Sequence, residues 1–254
     1  MPSPALSTVT VESTDSLAYA ATIADTPEQV RAAQRLRHEV FGRELGARLH
    51  SPEPGLDIDE FDAIADHLLV TETGSGEVVG TYRLIPPGRG RQLYAESEFD
   101  LSALAPIRSQ LVEAGRSCVH PDHRTGAVIN LLWSALARYV LLSGHEYLAG
   151  CASVPLDDGG HAATSAWLLG TAKHASPADL RVHPHRPWQP AGPLPGTPSY
   201  ADLPPLLRGY LRLGAWMCGA PAHDPEFGVA DFYVLLPMAN VSDRYRRYFL
   251  GEER

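Results

Sequence analysis

Cysteine is scarce in this chain of 254 residues, which has three. Cys118, Cys151 and Cys218 are far apart, odd in number and set in apolar segments. That pattern argues against a disulfide framework or a zinc site and for buried, reduced thiols in a cytoplasmic protein. Basic charge is also in short supply. Against 30 Asp and Glu there are 21 Lys and Arg, giving a net charge of −9. No Lys/Arg block occurs, so general attraction to nucleic acid is excluded as a function. The histidines show no metal-ligand spacing, and no metal is expected. Long apolar runs are missing as well. The most apolar window, Leu131 to Leu142, is interrupted by Ser134 and Arg138 and falls short of the ~20 residues that cross a bilayer. The first residues, MPSPALSTVTVESTDSLAYAA, lack a basic start and an apolar core, so they do not read as a signal peptide. Any membrane contact is expected to be peripheral, at the inner face.

What is present is a chain that is 44% hydrophobic, enough for a proper core. Residues 1–24 are expected to form a poorly structured tail, and 25–250 a single domain. Thr26-Pro27-Glu28-Gln29 supplies a helix N-cap, a first-turn proline and a capping-box glutamine, opening a helix expected to reach about Gly46. At ~100° per residue, Val30, Ala33, Leu36, Val40 and Phe41 share one face, and Arg37 falls in its middle. An inward arginine needs a partner, because an uncompensated buried charge costs several kcal/mol. The bland alternative is a stem on the core with its head in water.

After the SPEPG loop, LDIDEFDAIADHLLVTE reads as a short acidic segment and a strand from about His67 to Thr71. Gly74-Ser75-Gly76 reverses the chain into EVVGTYRLI, where Arg83 shares a face with Val79, Thr81 and Ile85. Asp59 and Asp62 precede this hairpin and can reach Arg37 or Arg83, or stand as solvated loop acids. Glu96 to Leu104 is a loop anchored by Phe99. A strand follows from about Leu111 to Val119, in which Gly115 tolerates a bulge that would turn Glu113 and Arg116 to one cleft. PDHRTG then enters a long helix, about Ala127 to Ser143, whose unpaired N–H groups beside Arg124 and Gly126 suit a phosphate. A strand (about 147–154), a short helix (about 162–169), an irregular stretch with nine prolines (176–205), an apolar helix in LPPLLRGYLRLGAWMCG and a buried strand in VADFYVLLPM complete a mixed α/β sheet with helices on its faces.

The pattern RLRHEVF, DIDEFD, VGTYRLI, Phe99 and EAGRSCV resembles the acyl-homoserine-lactone synthase branch of the GNAT acyltransferase fold. The second half, with SCVHPDHRTGAVINLLW, YLAGCASV, LPPLLRGYLRLGAWMCGAPAHDPEFGVADFYVLL and RYRRYFL, resembles the ornithine-lipid type of N-acyltransferases. This resemblance covers roughly residues 25 to 250. It implies a GNAT-like central sheet with splayed strands and a long 3-hydroxyacyl chain moved from acyl carrier protein to the α-amine of ornithine or a similar amino acid. Residue by residue it assigns Arg37, Phe41, Asp59, Asp62, Arg83, Phe99, Glu113 and Arg116 to a shared polar site. For acyl-phosphopantetheine, on the carrier or on coenzyme A, it points to Cys118, Val119, Arg124, Gly126 and Ala127, although Arg124-Thr125-Gly126-Ala127 is shorter than the usual phosphate loop of the fold. No tightly bound cofactor is implied.

Amide formation from a thioester needs an amine stripped of its proton and a polarised carbonyl. Glu113 is the candidate base, with a structural role beside Arg116 as the alternative, and Arg116 and Arg83 are the other candidate catalytic residues. Asp59 or Asp62 would read the acceptor's ammonium, and Arg37 or Arg83 its carboxylate. Trp133, Leu132, Leu136, Trp167 and residues 206–216 are candidate walls of an acyl slot. Arg89, Arg91, Arg124, Arg138 and Lys173 are candidates for a basic patch that docks the acidic carrier protein. The rival readings are a homoserine-lactone synthase and a catalytically silent acyl-carrier or lipid-binding module on the same fold.

Overall fold

The computed structural model describes residues 18–192 and 196–250, the side chain of residue 250 excepted. In chain order the elements are β1 (Tyr19–Ile23), α1 (Pro27–Arg37), β2 (Asp66–Glu72), β3 (Val78–Ile85), β4 (Phe99–Asp100), β5 (Leu111–Val119), α2 (Ala127–Leu142), β6 (Tyr147–Pro155), α3 (His161–Lys173), β7 (His183–Pro184), α4 (Pro205–Arg212), β8 (Trp216–Met217), β9 (Ala222–Asp224), β10 (Val229–Pro237) and α5 (Asp243–Leu250). Of the expected tail, residues 1–17 lie outside the described residues, while Tyr19–Ile23 form a strand rather than tail. The span expected as one domain divides into two compact units. The first comprises the described parts of Met1–Gly90, Ala114–His145 and Asp243–Arg254, the second those of Arg91–Glu113 and Glu146–Ser242. Among the described residues no helix is long and apolar enough to cross a membrane.

In the first unit the strand order is β1-β2-β3-β5. β1 and β3 flank β2 antiparallel, and the β2–β3 ladder is irregular between Val70 and Thr71. The capping box forms as read: Thr26 accepts the Gln29 N–H at 3.3 Å and Gln29 reaches back to the Thr26 N–H. The helix does not continue to Gly46. From His38 to Glu44 it widens into a π-helix, with Leu45 N–H donating to Val40 O five residues back, a geometry frequent at functional sites. α2 packs closely on β3. A Cβ on Gly80 would lie 2.7 Å from Val128 and 3.2 Å from Leu132, so glycine is what permits the approach.

In the second unit β5 pairs parallel with β6, and β6 pairs antiparallel with β10 over nine positions. The parallel ladder has three pairs, Leu111–Tyr147, Val112–Leu148 and Glu113–Ala149, although each strand is nine residues long. β8 and β9 pair with β10. Every residue of β10 is buried, as expected for a strand covered on both faces. The apolar helix is shorter than its hydrophobic pattern. α4 stops at Arg212, where Gly214 at φ 96° turns the chain into β8. The proline-rich segment is mostly irregular, yet it is tied down. Val182 N–H donates to Cys218 O at 2.7 Å, Trp188 N–H to Pro221 O at 2.9 Å, and His223 N–H to Arg186 O at 2.8 Å. Val182 and Trp188 are buried.

Candidate active site

The first unit holds a compact network of three arginines and three aspartates. Arg37, at 0% exposure, enters from the last turn of α1. Its Nε donates to Asp57 Oδ2 at 2.9 Å, and its Nη2 to both oxygens of Asp62 at 2.9 and 2.7 Å. Arg83, on β3, donates through Nη1 to Asp59 Oδ1 at 2.5 Å and Asp62 Oδ1 at 3.2 Å. Arg116, on β5, ion-pairs more loosely with Asp57 at 3.5 Å and Asp59 at 3.6 Å, and its guanidinium lies 5.9 Å over the Phe41 ring. Such guanidinium–carboxylate contacts are the strong, geometrically selective kind.

The acids are held by their own segment. Asp59 caps the Glu60–Ile64 turn, and Asp62 closes the reciprocal capping box. Gln34 donates to Asp62 at 3.1 Å, and the Asp57 N–H donates to Gln34 O at 3.0 Å. Burial works against ionising Asp62, but Arg37 and Arg83 outweigh it and hold the carboxyl below the usual range. Sequence reasoning missed Asp57, Gln34 and buried His67. Asp57 was detectable as a third aspartate in DIDEFD, needed to balance the third arginine.

Arg116 carries the backbone irregularity of β5. With φ at 52° it is the single non-glycine residue at positive φ among the described residues, and such strain, about 1–3 kcal/mol, persists where surrounding structure enforces it. The sequence expectation put this deviation at Gly115. Glu113 takes different partners from those of Arg116. Buried in the second unit, it accepts the N–H groups of Tyr94 at 2.6 Å and Ala95 at 3.0 Å. Phe99, also buried there, packs on the Tyr233 ring at 5.8 Å. The eight residues assigned to one polar site therefore fall into two groups, six in the first unit and Phe99 with Glu113 in the second.

The expected donor-binding residues are occupied with contacts of their own. Cys118 packs with Leu36 and Val40, and burial pushes its thiol up to about 12, which makes it core rather than a reactive group. Val119 offers its carbonyl to Arg124 Nε at 3.1 Å. Gly126, at φ 96°, precedes Ala127 at an α2 start with no side-chain cap. The Arg124 fork is engaged by Glu44, at 2.6 and 2.7 Å, so a phosphate there must displace a carboxylate. Arg89 likewise pairs with Asp66, and Lys173 lies over Tyr200. Leu132 and Leu136 are core side chains, and Trp167 packs on Trp188.

Comparison with known proteins fits this architecture. A family model described as an acetyltransferase (GNAT) domain matches residues 36–134. The chain is 34% identical over 250 residues to an L-ornithine N(alpha)-acyltransferase of Brucella abortus, covering 91% of this chain and 88% of that protein. It is 35% identical over 249 residues to one of Rhodobacter capsulatus, covering 92% and 95%. Among solved structures, a CoA-dependent acyl-homoserine lactone synthase with S-adenosylmethionine and isopentyl-CoA superposes at TM-score 0.53 and 18% identity, over 89% of this chain and 82% of that one. An N-acyl amino acid synthase from uncultured soil microbes superposes at 0.51 and 15%, over 87% and 91%. These two establish the fold alone. Identity of 34–35% over about nine-tenths of the chain establishes more: the chain belongs to the L-ornithine N(alpha)-acyltransferase family, and it is an acyltransferase of the GNAT fold.

Proposed function

We propose that this enzyme moves a long-chain acyl group, such as a 3-hydroxyacyl chain, from acyl carrier protein to the α-amine of ornithine or a closely similar amino acid. The observation that carries this reading is the identity of 34–35% over about nine-tenths of the chain to enzymes of that name. The chemistry needs no covalent enzyme intermediate. The neutral amine attacks the thioester carbon, the C–N bond forms as C–S breaks, and the N–H proton it loses passes by way of a base or water to the departing sulfur, which leaves as a thiol.

Arg37 and Arg83 are buried and engaged, so they serve as the frame of the site. Arg116, 14% exposed, and Asp59, 23% exposed, form its accessible edge, suited to the acceptor's carboxylate and ammonium. Carrier-bound phosphopantetheine is preferred to coenzyme A because Glu44 neutralises Arg124 and lowers the attraction for a donor with several phosphates. The enzyme works in the cytoplasm with peripheral contact at the membrane face where its lipid product belongs.

Purified protein incubated with 3-hydroxyacyl carrier protein or acyl-CoA, and with ornithine, lysine, glutamine, glycine and S-adenosylmethionine, tests this by mass spectrometry. Amide with ornithine, fastest from the carrier protein, is expected. No amide with any amine would remove the enzyme reading, and a homoserine lactone product would replace it.

A further inference from the structure

One carboxylate in the first unit joins the buried frame of the site to its accessible edge. Asp57 Oδ2 accepts the Arg37 Nε–H at 2.9 Å and lies 3.5 Å from Arg116 Nε, so a single oxygen stands between two guanidinium groups. The two ends of this bridge differ. Arg37 is fully buried and held a second time by Asp62, whereas the Arg116 side chain is partly exposed. Asp57 is itself buried, and it is pinned to α1 along its backbone: its N–H donates to Gln34 O at 3.0 Å, and its carbonyl accepts from Arg37 Nη2. Fixed at three points, it acts on a ligand only through the group it holds.

Arg116 is a group that needs holding. Its backbone lies at φ 52°, a conformation that persists only where the surroundings enforce it. Its Nε and Nη2 reach Asp57 and Asp59 at 3.5 and 3.6 Å, longer than an ordinary N–H···O bond. The Phe41 ring covers one face of the guanidinium at 5.9 Å, and the Asp57 charge sets where its Nε edge points. Without that charge Arg116 would meet Arg37 across an uncharged atom, and two cations so placed repel.

We propose that Asp57 is a positioning residue for the acceptor: by tying Arg116 to Arg37 it aims the Arg116 guanidinium at the acceptor's α-carboxylate, and so makes the enzyme select amino acids over amines that lack a carboxylate. This rests on the acceptor class and the role of Arg116 proposed above. A guanidinium fork aimed in advance loses less freedom when a carboxylate docks. Charge-assisted contacts to that carboxylate, about 2.7–2.9 Å long, are shorter than either ion pair that Arg116 makes with Asp57 and Asp59, so the ligand improves on these pairs. Asp59 differs from Asp57 here, because its 23% exposure lets it touch the acceptor directly.

The test is calorimetric titration of ornithine and of putrescine, the same diamine chain without its carboxylate, into wild type, Asp57→Asn, Arg116→Lys and the double variant. Wild type is expected to bind ornithine on the order of a hundredfold tighter than putrescine, as a site built for a polar group rejects the analogue lacking it. Asp57→Asn keeps the shape of the side chain and is expected to lower that ratio about tenfold by weakening ornithine alone, where a merely structural loss weakens both ligands alike. Arg116→Lys should lower it at least as far, and the double variant no further than Arg116→Lys, because Asp57 acts through Arg116. Arg37→Gln with Asp57→Asn removes both halves of a buried pair and reads the same ratio if Asp57→Asn alone melts too early to titrate. No preference for ornithine in wild type, a ratio that loss of the Asp57 charge leaves intact, or additive losses in the double variant would overturn the proposal. Because binding is read without turnover, these results are separate from whether any amide forms.

Discussion

Arg37 and Asp62 face each other at 2.7 Å with side chains 0% and 6% exposed, so neither charge has water to fall back on. Asp62 also serves Arg83 at 3.2 Å, and its loss leaves two buried cations each with one carboxylate fewer, Arg37 with Asp57 and Arg83 with Asp59. Asp62→Ala is therefore expected to cost about 3–5 kcal/mol of folding stability. Arg31→Ala, which breaks a bidentate but solvent-exposed pair with Glu53, should cost much less, because water screens the pair and replaces it. Urea unfolding of both variants makes the comparison, and equal costs would mean that burial of the network does not govern its energetics.

Stability should fall on acidification in two stages. Burial of His67, with Arg37 and Arg83 adding to it against the opposing charge of Asp62, lowers the imidazole below its ordinary 6.5. Its unfolded form thus takes up a proton first, and stability is lost as pH drops below 6.5. Asp62, held below its ordinary 3.8, keeps its contribution above that value and loses it as pH falls further. Urea midpoints measured between about pH 7 and pH 3 should decline in both ranges, and His67→Gln should flatten the upper one.

The deviation in β5 belongs to Arg116, and glycine substitutions test this. A Cβ on Gly115 would meet nothing within 4 Å, and its φ is not positive, whereas a Cβ on Gly219, at φ 149°, would meet Val182 O at 2.5 Å. Gly115→Ala should change stability by about 0.5 kcal/mol or less. Gly219→Ala should cost about 1–3 kcal/mol and loosen the proline-rich segment at its Val182–Cys218 bond, read by hydrogen exchange.

The Glu44–Arg124 pair predicts a change in donor use. Glu44→Gln releases the guanidinium and should lower KM for acyl-CoA about fivefold, an exposed pair being worth about 1 kcal/mol, while Arg124→Ala should raise it. If Glu44→Gln leaves KM for both donors unchanged, phosphate does not compete with this carboxylate.

The strand β5, the hairpin of β2 and β3 and the capping box of α1 were legible because each rests on local pattern: alternation, a glycine turn, a TPEQ start. Arg37 was legible as an inward charge from helical phase alone. The π-widening after Arg37 and the end of α4 at Arg212 were not, since tertiary packing and a glycine at positive φ decide them against an apolar pattern that runs on. Asp57 was overlooked in DIDEFD although charge balance against a third arginine calls for it. Glu98, Asp224 and Asp231, whose carboxylate oxygens lie within 4.8 Å of one another, stayed invisible because more than a hundred residues separate the first from the others and only the tertiary fold brings them together.

The most direct test of the central claim is the position of the acyl group on ornithine after reaction with 3-hydroxyacyl carrier protein, read by tandem mass spectrometry. The account predicts an amide at the α-nitrogen with the terminal amine free. An amide at the terminal nitrogen, or release of the fatty acid without any amide, would contradict it.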